Sequence, residues 1–183
     1  SAAMQAAGGK MHGFQVWVNL PAADKMIAPR YQEVPGDAIP VGQSADGKVM
    51  VRVIAGEALG ARAVIDTHTP IVYQHWTLAP GGRATQPLPT GYNGLVYVFR
   101  GAVQVGAART EVSDGQVAFL GQGDAVDLAV RETTGDSADL LLLAGVPLDE
   151  PVARWGPFVM NTSTQIQTAL DDFHAGRMGA IAH

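Results

Sequence analysis

The sequence predicts an all-β fold, and three observations carry the prediction. From Val49 onward the apolar runs are short: "VMVRVIAG", "IVYQHWTLAPGG", "GLVYVFRG", "AVQVG", "QVAFLGQGD", "AVDLAV" and "ADLLLLAG". Gly, Asp and Pro punctuate them at the spacing of an antiparallel sandwich or barrel, and 22 glycines supply that turn density. Only the last segment changes period. In "NTSTQIQTALDDFHAGRMG", Ile166, Leu170 and Phe173 stand at i, i+4 and i+7, which predicts one amphipathic helix.

Ahead of these runs, "FQVWVNL" alternates Phe14, Val16, Val18 and Leu20 against Gln15, Trp17 and Asn19. That period of two predicts a half-buried strand closed by Pro21, with no hairpin partner nearby. The following stretch carries Pro21, Pro29, Pro35 and Pro40 with little periodicity and reads as a surface linker. A boundary near Ala45 divides the chain into 1–45 (orphan strand and linker), 46–160 (the β domain) and 161–183 (helix and tail). For the helix, Thr162 and Gln165 can form a capping box, and Gly176 offers a C-terminal stop. Its apolar stripe must cover either the β domain or a further domain.

Composition narrows the function classes. With 183 residues, 47% hydrophobic and 16% charged, the chain suits one packed domain plus an appendage. The net charge is −5 and the 12 Lys and Arg are scattered, so no phosphate-tracking patch argues for direct nucleic-acid binding. The absence of cysteine excludes disulfides, thiolate metal sites and cysteine nucleophiles. No run approaches the roughly 18 apolar residues of a membrane span, and a cytoplasmic location is the simplest expectation. The opening "SAAM" reads as an expression scar before Met4.

One stretch has the frame of a metal site without its donors. The cupin pattern places a glycine five residues before His-x-His, a glutamate after four more, and a closing glycine seven beyond. Counted from Gly81, the ligand positions fall on Pro87, Pro89 and Gly94, and the frame closes on Gly101. The second cupin motif runs from Gly115 through Gly121 and Gly123, with Val126 where histidine would stand. None of Pro87, Pro89, Gly94 or Val126 offers the imidazole, carboxylate or thiolate that a divalent metal requires. A cupin barrel without its own metal site is expected.

Several stretches together resemble the pirin family of bicupin proteins: "HGFQVWVNLP", "KMIAPRYQEVP", "VRVIAGEALG", "QPLPTGYNGLVYVFRG", "AFLGQGDAV", "LLLAGVPLDEPVARWGPFVMNT" and "ALDDFHAGRMG". The resemblance implies one metal-bearing and one vestigial cupin, with Fe(II) held by three histidines and one glutamate in the N-terminal barrel. Those ligands lie upstream of "HGFQVWVNLP"; where the last His-x-Glu-Met would stand, this chain has Ser1 and Ala3. No catalytic residue and no cofactor carry over to this chain. It is expected to be the C-terminal half of a pirin: a short natural form, a cut piece or a proteolytic product. Two functions follow from the resemblance. One is a non-enzymatic regulatory module, since pirins are described as cofactors of transcription regulators and metabolic enzymes. The other is iron-dependent quercetin 2,3-dioxygenase activity supplied by a metal-bearing half.

Other candidates are weaker. His68 and His75 are seven residues apart and would face opposite sides of one strand, with Pro70 between them. They and His12 are the candidates for any metal set. "GEALG" lacks the Lys-Ser/Thr ending and the helix of a phosphate loop, so it reads as a turn. No serine has a Gly-x-Ser-x-Gly setting. The aromatics could line a pocket for a flat aromatic ligand, with Tyr73, His75 and Tyr97 as the candidate lining and the direction of Tyr97 deciding the matter. An unpaired Phe14–Leu20 edge would call for a protein partner, a homo-oligomer or a strand-exchanged dimer.

Overall fold

A computed structural model describes residues 8–9, 12–133 and 135–178. The apolar runs from Val49 onward become strands: runs such as "VMVRVIA" and "IVYQHWTL" alternate and bury one face, whereas the continuous run "ADLLLLAG" is buried on both faces from Ala138 to Leu142. The first strands are β1 (Val41–Gln43), β2 (Val49–Ala55), β3 (Glu57–Ala58), β4 (Ala61–Arg62) and β5 (Ile71–Leu78). Next come β6 (Arg83–Pro87), β7 (Asn93–Arg100), β8 (Ala102–Val105), β9 (Thr110–Ser113) and β10 (Val117–Phe119). The last are β11 (Ala125–Ala129), β12 (Ala138–Gly145), β13 (Ala153–Trp155) and β14 (Phe158–Met160), before helix α1 (Ser163–His174).

The strands form a six-stranded antiparallel sheet, in the order β1-β2-β5-β12-β7-β10, and a four-stranded sheet, β6-β11-β8-β9. No ladder joins the two, so the sheets are not closed into a continuous barrel. The larger sheet turns Val51, Trp76, Val96, Val98, Leu140 and Leu142 inward, and the smaller one answers with Val103, Val105, Val126 and Leu128. The sequence "GEALG" is the β3–β4 hairpin, whose two-residue loop has positive φ at Leu59 and Gly60. At Gly101, between β7 and β8, φ is +74° and a Cβ would lie 2.8 Å from the Ser137 carbonyl oxygen. Only glycine fits both demands.

The large sheet begins ahead of Asp46, because β1 pairs with β2 through Val41 opposite Arg52. The segment Phe14–Leu20 corrects the expectation of a strand. It lies outside every sheet, with Trp17 62% and Val18 50% exposed. Its alternation is satisfied differently: Phe14 rests on the outer face of the large sheet, its ring 4.9 Å from Phe99 and 5.7 Å from Tyr97. The linker is held by the Gln32 side-chain amide, which pairs with both backbone groups of Asp66, and by an Arg30–Asp66 ion pair of 3.2 Å.

Helix α1 has the expected capping box. Thr162 accepts from the Gln165 backbone N–H, and the Gln165 side chain accepts in return from the Thr162 N–H. Gly176, at φ +69°, ends it. Ile166 and Ala169 are buried and the helix packs on the β13–β14 hairpin, while Phe173, beside Phe158, stays 60% exposed. The expected scar at residues 1–4 lies outside the described residues.

Leu140 is fully buried at the centre of the large sheet. Leu140→Ala is expected to lower the unfolding free energy by about 2–5 kcal/mol in urea titrations, the range for a buried leucine cavity. Phe119, 82% exposed on the edge strand, should tolerate alanine within about 0.5 kcal/mol.

Candidate functional site

Inside the fold, the strand period decides which side chains occupy the metal frame. β6 is exposed at Arg83, Thr85 and Pro87 and buried at Gln86. Pro87 and Pro89 are therefore exposed, while Gln86 and the half-buried Leu88 turn towards the core, one residue earlier than the frame counted from Gly81. Val126 is buried directly across from Gln86 on β11, and Gly94 is half-buried on β7. Of the four frame positions, only Val126 and Gly94 border the interior.

The interior is held by a polar bridge. Gln74 of β5 is fully buried and donates to the Glu57 carbonyl at 3.0 Å, and Gln86 of β6 donates to the same oxygen at 3.0 Å. Trp76 Nε1 donates to Gln74 Oε1 at 2.9 Å. These residues do not fit a divalent metal. The Gln74 amide oxygen is already engaged by Trp76, and valine and glycine bring no donor. A Cβ at Gly94 would meet Leu120 Cδ1 at 3.0 Å, so the glutamate of the frame would have to displace the core.

The outer face of the large sheet is a different surface. Cross-strand register sets its side chains in rows. One row runs Val41, Arg52, His75, Leu141, Tyr97, Val117; the next is Gln43, Met50, Thr77, Asp139, Arg100; the row on the far side is apolar, with Tyr73, Leu143, Leu95 and Phe119. Tyr73, His75 and Tyr97 thus share the outer face, and none lines the interior. Burial raises the Tyr73 pKa above its ordinary value. His75 packs 5.3 Å from the Phe99 ring, which His12 meets edge-on at 6.0 Å. His68 is exposed in the loop before β5, apart from both. Among the described residues no three His, Asp or Glu side chains stand close enough to hold a metal ion.

At the polar end of this face a cleft of about 550 Å³ opens beside Asp139. Asp139 is 7% exposed and fully engaged. Thr77 Oγ1 donates to its Oδ1 at 2.6 Å, His75 Nε2 lies 3.2 Å from the same oxygen, and Arg100 Nε is 2.5 Å from Oδ2. Burial pushes its pKa up, but the hydrogen bonds of Thr77 and His75 and the Arg100 charge outweigh it, and the net shift is downward. The carboxylate in turn orients the His75 ring, whose other nitrogen is left for the cleft. Sequence reading found His75 but missed Asp139, Thr77 and Arg100. A signal existed, since Asp139 opens the apolar run "ADLLLLAG" and Gln74 shares the phase of Val72, Trp76 and Leu78.

Two facing antiparallel sheets around one core, with the glycine frame at their turns, define a cupin. The pirin C-terminal cupin domain matches residues 73–179, and the chain belongs to the pirin family. It is 41% identical over 170 residues to human pirin, covering 92% of this chain and 57% of that protein. It is 37% identical over 177 residues to a pirin-like protein of Solanum lycopersicum, covering 96% of this chain and 60% of the relative. A crystal structure of quercetin 2,3-dioxygenase from Acinetobacter baumannii superposes with a TM-score of 0.80 at 35% identity, covering 91% of this chain and 56% of that one. The chain spans a little under three fifths of the length of these relatives.

Two outcomes are expected here. Gln74→Leu strands the Trp76 N–H and should cost about 1–3 kcal/mol in chemical denaturation, whereas Pro87→Ala on the outside should be close to neutral. For Asp139, the folded pKa is depressed, so its stabilisation is complete above the unfolded carboxylate value of about 3.9 and fades as pH falls below that. Urea midpoints of the protein and its Asp139→Asn variant should therefore differ at pH 7 and converge below about pH 4.

Proposed function

We propose that this chain is a non-catalytic binding and regulatory module of a pirin. The observation that carries the proposal is the interior bridge: Gln74 and Gln86 both donate to the Glu57 carbonyl and Trp76 donates to Gln74, with Val126 and Gly94 filling the rest of the frame. Surface available for recognition is on the outside, where Phe119, Val117, Trp17 and Phe14 are exposed. Exposed aromatic and aliphatic groups of this kind suit a protein partner, and a second copy of the chain is the partner we infer, by contact across the apolar row or by exchange of the 14–20 segment. A cytoplasmic regulatory role is part of the proposal; no helix among the described residues is long and apolar enough to cross a membrane.

The second reading is favoured by the Acinetobacter baumannii relative named quercetin 2,3-dioxygenase. In a bicupin pirin, oxygen chemistry on a flavonol would then belong to iron in the N-terminal cupin, outside the residues of this chain, and the present barrel would serve as its structural and regulatory half.

Iron content after anaerobic reconstitution and desalting, read with quercetin-dependent oxygen uptake on the same sample, separates the two. Far less than one iron per chain and no uptake are expected; one tightly held iron with uptake would overturn the non-catalytic role. Sedimentation velocity should show a weight-average coefficient that rises with concentration, and replacing Phe119 by serine should lower it. A coefficient independent of concentration would remove self-association from the proposal.

A further inference from the structure

The polar cleft has an unbalanced set of charges. Arg100 is committed to Asp139, and Thr77 and His75 complete that carboxylate. The side chain of Arg52, which also lines the cleft and stands across from His75 in the sheet, makes no hydrogen bond or ion pair among the described residues. A half-buried guanidinium with all its donors free is a carboxylate receptor, because its fork matches the two oxygens. Beside it the wall is aromatic: Phe99, with the His75 ring 5.3 Å and the His12 ring 6.0 Å away. The volume, about 550 Å³, lies within the range of small-molecule sites. Asp114, unpaired through its side chain, closes another side of the cleft. Its negative charge disfavours a dianion such as phosphate more than a singly charged acid.

We propose that this cleft is a binding site for a planar aromatic monocarboxylate, with the carboxylate on Arg52 and the ring against Phe99. The site is on the outer sheet face and separate from the cupin interior. It deepens the binding-module proposal by naming a ligand class, and its test does not depend on iron or oxygen uptake, so either can fail without the other.

The probe is 2-naphthoate, titrated into the whole chain by calorimetry at moderate salt and neutral pH. Three comparison compounds are used: 2-naphthalenemethanol, which keeps the ring without charge; cyclohexanecarboxylate, which keeps charge without the ring; and inorganic phosphate. One-to-one saturable binding is expected for naphthoate, about ten-fold or more tighter than for any of the three. Arg52→Gln should weaken naphthoate by about ten-fold, and Arg52→Lys by less, since lysine keeps the charge without the fork. Phe99→Leu should weaken naphthoate while leaving cyclohexanecarboxylate unchanged. Amide chemical-shift changes in the unaltered protein, which need no variant to fold, should centre on Arg52, His75 and Phe99. No saturable binding, equal binding of phosphate, full affinity in a folded Arg52→Gln variant, or shifts centred elsewhere would each overturn the proposal.

Discussion

The structure depends on one shared acceptor, the Glu57 carbonyl oxygen. No ladder connects the two sheets, so their facing distance and register rest on side chains. Most of those are apolar and would tolerate small slides, because hydrophobic contact is non-directional. The two glutamines are not tolerant. Gln74 comes from the large sheet and Gln86 from the small one, and both donate to an oxygen on the short β3 strand. A slide of either sheet would strand a buried amide, which costs more than the bond itself returns. The bridge thus specifies one alignment of the sandwich, and it fills the interior that the frame positions Val126 and Gly94 border.

Apart from this interior bridge, a second polar network lies on the outer face of the large sheet. Asp139 organises the polar end of the sheet in the same way that Glu57 organises the core. One buried carboxylate gathers groups from the two strands that flank its own: Thr77 and His75 of β5 and Arg100 of β7, with Asp139 itself on β12 between them. A buried carboxylate is tolerated only with that many partners. Once it is satisfied, Arg52 remains on this face as a cation whose side chain has no partner among the described residues. The gradient from this polar end to the apolar row of Tyr73, Leu143, Leu95 and Phe119 gives one sheet two chemically distinct ends.

Local patterns were legible in the sequence and long-range ones were not. The strands carried by the seven apolar runs between Val49 and Gly145, the Thr162–Gln165 cap and the turns at Gly101 and Gly176 follow from residues close in the chain and were readable there, whereas the short β3 and β4 and the more polar β6 and β9 were not among the runs read as strands. The frame counted from Gly81 fixed a spacing but not a face. A shift of one residue exchanges every inward and outward side chain, and here it brings Gln86 rather than Pro87 inside. Phe14–Leu20 has the alternation of a strand, but pairing depends on an available edge, which no local pattern reports. Tyr97 points outward for the same reason of phase. Asp139 meets His75 and Thr77 across 64 and 62 residues of chain, a distance over which single-sequence patterns carry no information.

The C-terminal unit stands apart from these networks. Helix α1 rests on the β13–β14 hairpin, and Glu150 joins that unit to the N-terminal linker by accepting from the Ala22 N–H at 2.8 Å and from Asn161 Nδ2 at 3.0 Å. One hydrogen bond, from Ala22 to Glu150, thus links the N-terminal linker to the C-terminal unit, while the linker is also held to the sandwich by Phe14 on Phe99 and by Arg30 and Gln32 on Asp66. Regions held in this way open with less free energy than a central strand such as β12. The helix and its hairpin are accordingly expected to form a separate opening unit, exchanging amide protons with solvent ahead of the strands of the sandwich.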